Sequence, residues 1–151
     1  MAISYGTRTA LANISRLHSS TNTQAKTFGE IDNSSAGAHG HNIHLIIPIN
    51  SSATGGTYDL YLVESQDGTE WTDGIDPTTE TGDVAGKIKD ATWLYSADAT
   101  YNASNRTQAE FHIHIPSISK AAYLGFVVVN NSGQTIPASG ADGDSVAYTV
   151  S

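Results

Sequence analysis

With 151 residues and no cysteine, the chain has room for one domain around one core, and thiol catalysis, cysteine-ligated zinc and iron–sulfur chemistry are excluded. Only 15% of the residues are charged, with Ser, Thr, Asn and Gly in their place, which favours strands and polar turns over long helices. A net charge of −8 with scattered Lys and Arg argues against a nucleic-acid surface.

Met1 to Thr7 show neither the charged region nor the apolar run of a signal peptide, so synthesis in the host cytoplasm and no membrane partner are expected. The longest apolar run near the middle, Leu45–Ile49, is far too short to span a bilayer. Residues 1–24 read as an extended N-terminal arm, distinct from a domain over 25–151. Leu11, Ile14 and Leu17 recur at a spacing of three, which suits one or two helical turns, and polar Ser19 to Thr23 end them. Together with Arg16, that stripe is the expected contact with a neighbouring subunit; the plainer reading is a frayed terminus.

Strand signals then accumulate. Lys26–Ile31 is a first strand, stopped at the turn former Asp32–Ser35. His41–Ile49 alternates, with Ile43, Leu45, Ile47 and Ile49 on one face and Asn42, His44, Ile46 and Pro48 on the other. Thr57–Ser65 carries apolar or aromatic residues on both faces, so a mid-sheet position is expected. Gln66-Asp67-Gly68-Thr69 is a tight turn, and Glu70–Thr72 returns along the sheet. Residues 73–90 form a long surface loop. Thr92–Tyr95, Glu110–Ile115, Ala121–Val129 and Ser145–Val150 supply the remaining strands.

Short strands, frequent turns and no long helix predict an all-β, two-sheet antiparallel sandwich, a jelly roll or related Greek key, with an up-and-down barrel as the alternative. Tyr58, Leu60, Leu62, Trp71, Phe111, Ile113, Ile115, Leu124, Phe126, Val128, Val146 and Tyr148 are the expected core.

His39, His41 and His44 cluster in sequence, and His112 and His114 share one face of another strand. If those strands pair, His44, His112 and His114 form a candidate metal set, since three imidazoles suffice for zinc or nickel. The plainer reading is ordinary surface histidines, and no cofactor is expected. The acidic run Asp67–Asp76 lacks EF-hand spacing, so its carboxylates are expected to face water in turns. Ser65-x-Asp67-Gly68-Thr69-x-Trp71 resembles the Asp-box hairpin of sialidases, in which Asp and Ser bind the turn backbone and the aromatic ring plugs the core; that role is structural. There is no Gly-x-Ser-x-Gly elbow, no phosphate-cradling loop and no dinucleotide fingerprint, so catalysis is not expected.

Gly29–Ser34, then Tyr58–Leu62 leading into Ser65–Gly74, then Gly125–Gly133 with the closing Val146-Ala147-Tyr148, follow one another over most of residues 28–150. In that order they resemble small virion structural proteins of tailed bacteriophages. The resemblance implies a β-sandwich capsid decoration or cement protein on the virion surface, bound to the major capsid protein and often a homotrimer. The resemblance does not separate head decoration from a tail or neck component. A carbohydrate-binding module is the rival, with Trp93, Tyr95 and Tyr101 as its candidate platform.

Overall fold

A computed structural model describes residues 1–34, 37–116 and 122–151. Its strands are β1 (Ile3–Tyr5), β2 (Thr9–Ala10), β3 (Ala25–Asp32), β4 (Gly40–Pro48), β5 (Thr57–Ser65), β6 (Thr92–Asp98), β7 (Gln108–Pro116), β8 (Tyr123–Asn131) and β9 (Asp142–Val150). Two positions of the expected elements, Ser35 in the first turn and Ala121 at a strand start, lie outside the described residues. Among the described residues no helix is long and apolar enough to cross a membrane.

Pairing is nested. β1 and β2 pair with β9, β3 with β8, β4 with β7 and β5 with β6, all antiparallel. A ribbon of nested hairpins cannot stay flat without exposing both faces, and here it rolls into two sheets. One has the order β1-β9-β4-β7, with β2 also on β9; the other has the order β3-β8-β5-β6. This is the jelly-roll arrangement, and the up-and-down barrel is excluded.

Between the sheets lies the main core, which includes Phe28, Leu45, Ile47, Tyr58, Leu60, Phe111, Leu124 and Phe126. Burying each such side chain contributes about 1.5–3 kcal/mol. A second apolar cluster covers the outer face of the four-stranded sheet, where Ala25, Val63 and Val127 meet Trp71, Ile75 and Val84. The long 73–90 loop is thus a lid on that sheet, with Ile75 and Val84 fully buried. It is held by carboxylates standing in for absent ladder bonds. Asp73 accepts from the backbone N–H groups of Lys89, Asp90 and Ala91, and Asp83 from those of Ala25 and Ala85. β5 is covered on both faces and pairs with β8 on one side and β6 on the other, the mid-sheet position its sequence predicts.

The N-terminal segment departs from the expected free arm. Its two short strands extend the five-stranded sheet, and a 3-10 turn at Ile14–Leu17 follows. Leu17 is fully buried and Leu11 nearly so, both within the chain's own core, and Ile14 packs against it. Arg16 donates to the carbonyls of Thr27, Pro77 and Thr78. The reason lies in β9, whose inward positions are Gly143, Ser145 and Ala147, opposite Leu45, Ile43 and His41. These residues are too small to fill the space beneath them. A Cβ on Gly143 would meet Leu11 and Ile14 at 3.0 Å, so the arm's apolar stripe completes the core there. The same fact corrects two expected core residues: Val146 and Tyr148 point outward, away from the core.

The hairpin after β5 has the expected Asp-box construction. Asp67 accepts from the N–H groups of Thr69 and Glu70 at 2.8 Å, and Ser65 Oγ from Gly68 N–H at 2.9 Å. The Trp71 indole N–H donates to the Gly68 carbonyl, and its ring is buried in the second cluster. The return strand shrinks to one bridge, Ser65 with Trp71, before a 3-10 turn at Thr72–Gly74.

Candidate functional site

The outer face of the five-stranded sheet has no comparable lid among the described residues. Alternation decides what it presents. With Ile43, Leu45 and Ile47 inward on β4, Asn42 and His44 point out; with Phe111 and Ile115 inward on β7, Glu110, His112 and His114 point out. Register then aligns them across strands. His44 lies opposite His112 on one side and Asp144 on the other, and Asn42 lies opposite His114 and Val146. The result is a shallow concavity of about 370 Å³ whose lining includes Arg8, Asn42, His44, His112, His114 and Asp144.

Two side-chain groups occupy this face. In the first, the His44 and His112 rings stack with centroids 4.5 Å apart, and Glu110 approaches His112, Oε2 to Nε2 at 3.4 Å. Gln108 donates to the other Glu110 oxygen at 3.1 Å. That hydrogen bond, with His112 and the positive potential of both imidazoles, holds the Glu110 carboxyl below its ordinary range. Arg8 reaches Asp144 at 3.5 Å, an exposed pair of small energetic weight.

In the second group, His114 stacks on Tyr148 with centroids 5.3 Å apart. Its Nδ1 lies 2.8 Å from Asn42 Oδ1, and its Nε2 3.3 Å from the Tyr148 hydroxyl. The pairing consistent with both contacts has Nδ1–H donating to Asn42 and the Tyr148 O–H donating to Nε2. His114 is thus engaged at both nitrogens, and the expected trio of His44, His112 and His114 is not brought together. Glu110 takes the third place instead. It was visible in the sequence as the residue two before His112 on the same face. Asp144 and Tyr148 were not, because they depend on the β4–β9 register.

The candidate glycan platform does not assemble. A bulge in β6 lets Tyr95 pair with Leu60 and Trp93 with Tyr61, neighbours on β5 that face opposite sides of the sheet. Trp93 donates to Ser96 Oγ, Tyr95 meets Phe111 edge-on, and Tyr101 packs against the core. Exposed large apolar side chains gather on two edge strands: Ile3 and Tyr5 on β1, Trp93 and Tyr95 on β6. Leu11, Ile14, Arg16 and Leu17, the expected docking stripe, are engaged within the chain.

A second cleft, of about 240 Å³, lies where the N-terminal segment passes over β3. Its lining includes Thr7, Thr9, Glu30, Asp32 and His41. His41 is 4% exposed, and neither ring nitrogen has a hydrogen-bond partner among the described residues. Burial pushes its pKa down. The Glu30 carboxyl is pushed up, by burial first and then by Asp76 and Asp32.

No protein-family model matches this chain, and comparison with curated proteins and with solved structures returns no match.

Proposed function

We propose that the chain is a capsid decoration protein of a tailed bacteriophage, binding the major capsid protein shell from outside and bracing it. The jelly roll by itself does not choose this role, since capsid proteins, lectins and cupins share it. The observation that carries the reading is the asymmetry of the sandwich. One sheet is sealed by the chain's own loop, while the other keeps its outer face bare beside the apolar edge of β1. A bare face rimmed by exposed Ile3 and Tyr5 suits contact with another protein.

The pieces that resemble virion proteins fall on the parts of the fold that fix this geometry: the end of β3, β5 with its hairpin, β8 and β9. A homotrimer is the matching assembly. β1 and β6 occupy opposite edges of the sandwich, and a contact joining unlike edges of successive copies closes into a trimeric ring when each copy is rotated by a third of a turn.

Co-sedimentation with purified capsid shells of the encoding phage tests the role, with light-scattering mass measurement for the trimer. Tyr5→Asp and Ile3→Asp should each weaken shell binding at least tenfold while leaving the fold intact. Absence of co-sedimentation, or binding to isolated tails alone, would overturn the capsid reading.

A further inference from the structure

We infer that His44, Glu110 and His112 form a binding site for a divalent transition-metal ion of the zinc class. The inference stands whether or not the chain decorates a capsid. One ligand atom from each residue lies within 4.8 Å of the other two. The His112 Nε2 to Glu110 Oε2 distance of 3.4 Å is already the spacing of neighbouring ligands. Bonds of about 2.0–2.1 Å at tetrahedral angles place ligand atoms about 3.3–3.4 Å apart. The His44 ring is stacked on His112, with one nitrogen within 4.8 Å of both other ligand atoms.

The supporting structure is also present. Three ligands on paired, hydrogen-bonded strands are held by the β4–β7 register rather than by a loop. Gln108 binds the Glu110 oxygen that does not face His112, fixing the carboxylate as an outer partner does in metal sites. Two imidazoles and one carboxylate suit zinc, cobalt or nickel; calcium and magnesium prefer all-oxygen sets. His112 and Glu110 are well exposed, at 71% and 49%, so the site opens to solvent. Its remaining coordination position is left for water or for a side chain of a neighbouring molecule.

Titration of untagged full-length protein with Co²⁺, followed by visible absorption, and with Zn²⁺, followed by calorimetry, tests the site. One ion per chain with a tetrahedral Co²⁺ spectrum is expected. His112→Ala and Glu110→Gln should each weaken binding at least tenfold, with circular dichroism unchanged. His114→Ala should stay within twofold of the parent, because His114 lies outside the ligand set. No stoichiometric binding, or equal loss in His114→Ala, would overturn the assignment. So would binding that Glu110→Gln and His112→Ala leave unchanged.

Discussion

The guanidinium of Arg16 donates to the carbonyl of Pro77 at 2.6 Å, tying the N-terminal turn to the loop that covers the opposite sheet. The same nitrogen reaches the Thr27 carbonyl, and its neighbour reaches Thr78. One side chain therefore joins the arm, β3 and the lid. Arg16→Ala should cost about 1.5–3 kcal/mol, the range for charge-assisted hydrogen bonds, as read by urea denaturation. Arg16→Lys should recover only part of it, because a single ammonium cannot reproduce the planar fork. A loss below measurement error would show the clamp to be unimportant.

Leu17 predicts the fate of a truncation. It is fully buried, and Leu11 fills the space over Gly143. Leu17→Ala should destabilise by about 2–5 kcal/mol. Deleting residues 1–24 removes both side chains and the strands paired with β9, so the product should be unfolded or aggregated. A truncated chain with a parent-like melting transition would mean that the arm is dispensable for the fold.

Asp67 gives the hairpin an acid limit. The N–H groups of Glu70 and Thr69 hold its carboxyl at about 2, below its ordinary value. A lowered carboxyl pKa stabilises the fold above the unfolded value of about 3.9, and that contribution disappears as pH falls toward 2. Asp67→Asn should flatten thermal stability across this window compared with the parent. Trp71→Ala, which empties the space beneath the turn, should cost about 3–5 kcal/mol.

His41 acts in a different window. Burial holds its pKa in the folded chain below the value near 6.5 at which the unfolded chain takes up a proton. Below that pH the unfolded state binds more protons, so stability falls with pH at up to about 1.4 kcal/mol per unit. Glu30 works oppositely: its raised pKa lets the folded chain bind a proton first above the ordinary carboxylate range. His41→Leu should reduce the loss of stability as pH falls below 6.5 in chemical denaturation. Parallel curves for variant and parent would count against this role.

Much of the sandwich was legible because it rests on local rules. The alternation of β4, β5 and β7 and the turn chemistry of Ser65 to Trp71 appear in the fold as the sequence predicts. The departures at the N-terminal segment and at β9 share a cause. β9 carries Val146 and Tyr148 on one face and Gly143, Ser145 and Ala147 on the other, and size alone points to the larger set as core. Small residues point inward there because Leu11 and Ile14 arrive from the far end of the chain to cover Gly143. The arm and β9 could be read correctly only together.

The sequence by itself determined an all-β chain, the face on which His44, His112 and His114 lie, and the Asp67 hairpin. Period-two alternation and turn hydrogen bonds involve only nearby residues. Tertiary structure alone decided which sheet face is covered and which residues meet across strands. Register pairs His44 with His112 and Asp144, residues with no sequence proximity. The outward-facing residues of β4 and β7 are therefore written in the strands, but what stands beside each histidine on that face is set by how the strands pair.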